Sequence, residues 1–210
     1  MVKHAMSSAM APLEVRTRRA YFDCKFGQLH VRTAFPMTGG FDEQVTLFCL
    51  HPREASSRTF DRFLPEIADE RSVYAPDLPG CGESDPPPTA SAAAAASAIA
   101  DLATNLRLHQ IDVLGYRQGA EVAVALSVAR PELVRRLVLI AIPPLEHMPI
   151  VKQKSLVLRS KLDSPDAMQR TKGLLPNAQF VDAADGAEDL FESAARSLAK
   201  QVGGFLRGRS

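Results

Sequence analysis

The stretch from Ile111 to Pro144, IDVLGYRQGAEVAVALSVARPELVRRLVLIAIPP, decides the fold. Ile111 to Leu114 is a short apolar run of strand type, whereas from Gly119 onward Val122, Ala123, Ala125, Leu126 and Val128 fall at helical spacing. The period therefore changes across GYRQG. Gly115 and Gly119 flank that change, as a chain requires when it reverses tightly from a strand into a helix packed against it. Leu133 to Ile142, preceded by Pro131, then reads as the next strand.

Outward from this unit the same alternation continues in both directions. Arg19 to Phe26 and Leu29 to Phe35 read as a β-hairpin turning at Gly27 and Gln28. Val45 to Leu50 is a continuous apolar run, the pattern of a strand covered on both faces. Phe60 to Ala68 reads as an amphipathic helix, Ser72 to Ala75 as a strand, and Ser91 to Leu108 as a helix whose alanine run reflects helix propensity. Beyond the central stretch, the pattern predicts a strand at Ser155 to Arg159, a helix at Pro165 to Leu174, a strand at Ala178 to Ala183 and a final helix from Leu190 to Leu206. Strands alternating with helices predict an α/β protein with a mostly parallel sheet and right-handed crossovers.

Composition narrows the function classes. The 210 residues, 46% hydrophobic, suit one α/β domain over residues 19–210, with residues 1–18 expected as a flexible N-terminal segment. Lys plus Arg number 25 against 24 Asp plus Glu, so no global field recruits nucleic acid or an anionic membrane. No segment reaches the ~20 apolar residues that span a bilayer. Cys24, Cys49 and Cys81, odd in number and widely separated, read as reduced thiols and point to a cytoplasmic location. His4, His30, His51, His109 and His147 show no metal-ligand spacing, and neither a metal nor another cofactor is expected.

Gly115-Tyr116-Arg117-Gln118-Gly119 resembles the nucleophile elbow, G-x-S-x-G, of the α/β-hydrolases. The resemblance runs from about Tyr21 to the C-terminus. Leu50-His51-Pro52, with Ser56, Ser57 and Phe60 following, resembles the family's oxyanion loop, with Pro52 where a glycine is usual. Asp77-Leu78-Pro79-Gly80-Cys81-Gly82-Glu83-Ser84 resembles its D-x-x-G-x-G-x-S loop. The fold so implied is a three-layer sandwich on a mostly parallel sheet of about eight strands, with an N-terminal β-hairpin. The family often inserts a lid between the sixth and seventh strands. Here only Pro143 to Lys154 are available, so no lid domain is expected.

The same resemblance implies the site. Leu156 to Arg159, Ser160 and Asp163 match the strand and turn that carry the triad acid, which would be Asp163. Gly186 to Phe191 match the segment of the catalytic histidine, where Glu188 stands in the histidine's place. Arg117 stands where the family carries its serine, and a guanidinium is neither a nucleophile nor able to lose a proton near neutral pH. Backbone N–H groups of Arg53 and Gln118 are the implied oxyanion donors.

Three readings stay open at this level. A salt-bridged network of Arg117 with Glu188 and Asp163 would fill the old triad site. Alternatively, Arg117 and the helix N-terminus bind the carboxylate or phosphate of a small anionic or carbonyl ligand. Finally, a divergent hydrolase or lyase would use His51, His147 or Asp163, with Cys81 a weaker nominee for nucleophile. A top without a lid would also expose Leu145, Met148, Ile150 and Val151, which invites a homodimer.

Overall fold

The computed structural model describes residues 15–36, 44–142, 149–159, 165–183 and 190–208. Among these, eight strands form one sheet in the order β1-β2-β4-β3-β5-β6-β7-β8. β1 (Arg16–Cys24) and β2 (Gly27–Phe35) form an antiparallel hairpin, and β2 runs antiparallel to β4 (Val73–Pro76). β3 (Leu47–Leu50), β5 (Ile111–Tyr116), β6 (Val134–Ile140), β7 (Lys154–Arg159) and β8 (Ala178–Asp182) extend from β4 as a parallel array. The chain thus has the expected α/β architecture.

Helices cover both faces, and the period-two alternation of the strands distributes their side chains between two cores. Phe48, Leu50, Val113, Leu137, Leu139 and Val157 face α2 (Ala92–Asn105) and α3 (Gln118–Ala129). Leu47, Cys49, Leu114, Val138, Leu156 and Leu158 face α1 (Phe63–Ile67), α5 (Leu190–Ser193) and α6 (Ala195–Arg207). Phe191 anchors the second core, its ring edge-on to those of Phe60 and Phe63, with centroids 4.8 and 5.3 Å away. Each such fully buried side chain contributes roughly 1.5–3 kcal/mol relative to exposure.

The expected elements are present, with shifts that have local causes. The hairpin turns at Lys25 and Phe26, because Cys24 pairs with Gly27, so Gly27 opens β2 and takes φ 120° instead of forming the turn. The helix predicted over Phe60 to Ala68 divides into a 3-10 turn, Ser57–Phe60, capped by the Ser56 side chain, and the short α1. The last helix breaks at Ala194 into α5 and α6, and α6 ends at Gly208 in the left-handed conformation. α2 starts where Ser91 accepts a hydrogen bond from the N–H of Ala94 at 3.1 Å. α4 (Pro165–Leu174) has the bounds read from the sequence.

Residues 141–153 join β6 to β7, too few for a lid domain. Of the apolar residues expected to be exposed there, Ile150 is 62% exposed. Val151 is buried in the first core, and its N–H donates to Leu174 O at 2.9 Å. Leu145 and Met148 lie outside the described residues. No helix among the described residues is long and apolar enough to cross a membrane.

Candidate functional site

The site forms where β3 and β5 end, at the carboxyl edge of the parallel strands. β5 stops at Tyr116, α3 starts at Gln118, and Arg117 alone makes the corner. Its backbone sits at φ 50°, ψ −121°, a sparsely populated region for any side-chain-bearing residue. Two hydrogen bonds hold it there: the N–H of Arg117 donates to Ile140 O at 2.9 Å, and Arg117 O accepts from the N–H of Ala120 at 2.8 Å.

Both glycines of the corner are required by close approach. A Cβ on Gly115 would meet Gly119 O at 2.5 Å and Ala120 Cα at 2.6 Å. A Cβ on Gly119 would stand 2.1 Å from Leu50 O and 2.8 Å from His51 O. The first turn of α3 is therefore pressed against the end of β3. That contact brings Gln118 beside the loop that carries Arg53.

Three strand ends here carry non-glycine residues at positive φ: Glu54 just beyond β3, Arg117 beyond β5 and Ala141 beyond β6, at 64°, 50° and 49°. Strain of this kind costs on the order of 1–3 kcal/mol per residue and gathers where a fold positions a ligand.

His51 is fully buried and fully occupied. Its Nε2 accepts from the N–H of Leu78 at 2.8 Å, which makes Nδ1 the protonated nitrogen, donating to Pro52 O at 2.7 Å. Burial pushes its pKa below the usual imidazole range, and the hydrogen bond to Pro52 and the field of Asp77 offset this only in part. With no exposed surface and neither nitrogen free, the ring is placed to tie the loop after β3 to the Asp77 loop.

Asp77 organises the second loop. Its carboxylate accepts from the N–H groups of Ser57 at 2.6 Å and Glu83 at 2.9 Å and contacts His30 Nδ1 at 2.9 Å. Burial alone would raise its pKa, but these hydrogen bonds outweigh it and hold the carboxyl below its ordinary value. Gly82 at φ 53° lets the loop close over the carboxylate, since a Cβ there would meet Asp77 Oδ2 at 2.0 Å. Ser84 Oγ donates to Asp77 O at 2.7 Å and accepts from the N–H of His30 at 3.0 Å. Sequence reasoning found this loop but missed His30, because its partner lies 47 positions away and no local pattern joins them.

Between these loops lies a cavity of about 340 Å³. Arg53, Ser91, Gln118 and Glu121 supply its polar lining, and Leu78, Pro79, Cys81, Pro87, Ala95 and Val122 much of its apolar wall. The two expected oxyanion donors thus border one cavity, and neither N–H finds an acceptor among the described residues. Burial raises the Cys81 pKa, so its thiol is poorly suited to act as a thiolate. The Arg117 guanidinium lies over the Tyr116 ring, 5.3 Å from its centroid, and makes no ion pair among the described residues. Asp163, Glu188 and His147 lie outside the described residues. No group of three or more His, Cys, Asp or Glu with metal-binding geometry occurs among the described residues.

A family model described as the alpha/beta hydrolase fold matches residues 45–209. This chain belongs to that family. Its fold agrees with solved structures: Cfl2 from Burkholderia cenocepacia superposes with a TM-score of 0.79 over 92% of this chain and 96% of that one, at 16% identity. Carboxylesterase CesB from Bacillus subtilis gives 0.76 over 93% of each chain at 17% identity. At those identities the likeness concerns the fold.

Two curated relatives are closer in sequence over shorter spans. A 2-hydroxymuconate semialdehyde hydrolase from Pseudomonas sp. (strain CF600) is 40% identical over 78 residues, which is 36% of this chain and 28% of that protein. A Bacillus subtilis (strain 168) protein provisionally named 2-succinyl-6-hydroxy-2,4-cyclohexadiene-1-carboxylate synthase is 30% identical over 108 residues, 50% of this chain and 39% of that protein. The matched stretches span well under half of either relative's length.

Proposed function

We propose that this chain is a pseudo-hydrolase: an α/β-hydrolase-fold protein that binds a small carboxylate-bearing or carbonyl ligand at the elbow without serine hydrolysis. The observation that carries this reading is Arg117 at the apex of the strained corner. The fold still spends strain and two close glycine contacts on presenting residue 117 at the top of the sheet, yet what it presents is a permanent cation. A cation beside a helix N-terminus is disfavoured by ~0.3–1 kcal/mol at an exposed site. A bound carboxylate relieves that repulsion and accepts from the open N–H groups of Gln118 and Arg53. The apolar wall from Leu78 to Val122 suits the carbon body of such a ligand. The printed names of both curated relatives specify carboxylate compounds, which supports the same ligand class.

The competing reading, a divergent hydrolase or lyase acting through His51, His147 or Asp163, draws support from the relatives' names alone. His51 offers it little, since both ring nitrogens are already committed. Calorimetric titration with succinate and with benzoate tests the proposal. Saturable binding by wild type, weakened at least about tenfold in Arg117→Gln, is expected for loss of a charge-assisted pair. Absence of saturable binding, or equal binding by Arg117→Gln, would overturn it.

A further inference from the structure

On the far side of the hairpin from the α2 and α3 layer lies a second, unrelated cleft of about 480 Å³, lined by β1, β2 and the start of α1. Its floor is an unusual strand pair. Arg19 of β1 and Arg32 of β2 are direct partners in the antiparallel register, so both guanidinia leave the same face side by side. Like charges placed directly opposite destabilise a strand pair, and of the two only Arg32 is ion-paired among the described residues. Asp61 accepts from Arg32 Nη1 at 2.6 Å. Arg32 Nε remains buried without a partner, and Arg19 is exposed with no ion pair among the described residues. The next residue on that face, Tyr21, donates its hydroxyl to Glu83 at 2.5 Å, and that carboxylate feels the field of Arg19 without forming an ion pair with it. Leu64 and Pro65 close one wall, and Thr17 stands at the rim.

We infer that this cleft is an oxyanion site, taking a phosphate group between Arg19 and Arg32. A tetrahedral phosphate offers acceptors in several directions, enough to meet the planar fork of Arg19 and the free donors of Arg32 together, whereas a carboxylate presents two in one plane. The anion also cancels the repulsion across the pair. This site is independent of the elbow, because its residues come from β1, β2 and the 3-10 to α1 connection, none of which lines the elbow cavity.

The test uses the full chain and inorganic phosphate at constant ionic strength, with binding read by calorimetry and by the shift in unfolding temperature. Wild type is expected to bind phosphate saturably and more tightly than acetate. Arg19→Gln, an exposed position, is expected to weaken phosphate at least about tenfold while leaving the fold intact. Arg170→Gln, which removes the same charge from exposed α4, is expected to bind as wild type. No saturable binding, equal affinity for acetate and phosphate, or equal losses in Arg19→Gln and Arg170→Gln would each overturn the inference.

Discussion

The α-carbon of Gly119 is so close to Leu50 that a Cβ added to it would stand 2.1 Å from the Leu50 carbonyl oxygen. This contact locks the first turn of α3 to the end of β3 and sets where Gln118 and Arg53 stand relative to each other. Within a helix, Gly→Ala ordinarily stabilises by roughly 0.5–1 kcal/mol. Here the neighbour is backbone and cannot swing aside, so Gly119→Ala is expected to cost about 1–3 kcal/mol, as overpacking does. Urea unfolding of the variant checks the sign, and a stabilised Gly119→Ala would contradict the contact.

Arg117 holds φ 50° and ψ −121°. Arg117→Ala and Arg117→Gly both remove the guanidinium and its contact with Tyr116, so comparing them isolates the backbone. Strain of about 1–3 kcal/mol for a residue with a Cβ exceeds the roughly 0.5–1 kcal/mol entropic disadvantage of glycine. The glycine variant is expected to be the more stable of the two by about 1 kcal/mol in chemical denaturation.

Burial lowers the pKa of His51 below that of an exposed imidazole. The folded chain therefore binds fewer protons there than the unfolded chain, which titrates near about pH 6.5. The contribution to stability is full above about pH 6.5 and is lost as pH falls below it toward the folded value, with a slope no steeper than about 1.4 kcal/mol per pH unit. Unfolding free energies at about pH 7.5 and about pH 5.5 should converge less for wild type than for His51→Gln, which cannot titrate. Equal pH dependence in the two proteins would show that the imidazole does not sense the fold.

At the opposite end of β5, Asp112 is completely buried between two arginines. Arg135 grips it with Nε at 2.9 Å and Nη2 at 2.6 Å, and Arg71 Nη1 lies 3.4 Å away. Removing the shared carboxylate strands the almost fully buried Arg71. Asp112→Ala is expected to lose about 3–5 kcal/mol in guanidinium unfolding, the usual cost of breaking a buried pair from one side.

How much of this was legible in the sequence depended on the range of the interaction. The change of period at Gly115 to Gly119 and the apolar runs of β3 and β6 fixed the order of elements, because those signals are local. The turn at Lys25 and Phe26 was misplaced by two residues, since Gly27 advertises a turn while the register puts it at the head of β2. The elbow residue and the Asp77 loop were visible as motifs. The occupied nitrogens of His51, the bond from His30 to Asp77 and the Arg19 to Arg32 pairing were not, because each joins segments that only the folded sheet brings together. The place of Val151 in a short connection suggests exposure, but the folded chain packs it into the core beside Leu175, with its N–H bonded to Leu174 O.

Turnover of p-nitrophenyl acetate, measured beside the Arg117→Ser, Glu188→His double variant, tests the central reading most directly. Wild type is expected to match the uncatalysed rate, with any gain appearing in the double variant. Saturable hydrolysis by wild type, abolished by His147→Ala, would contradict it.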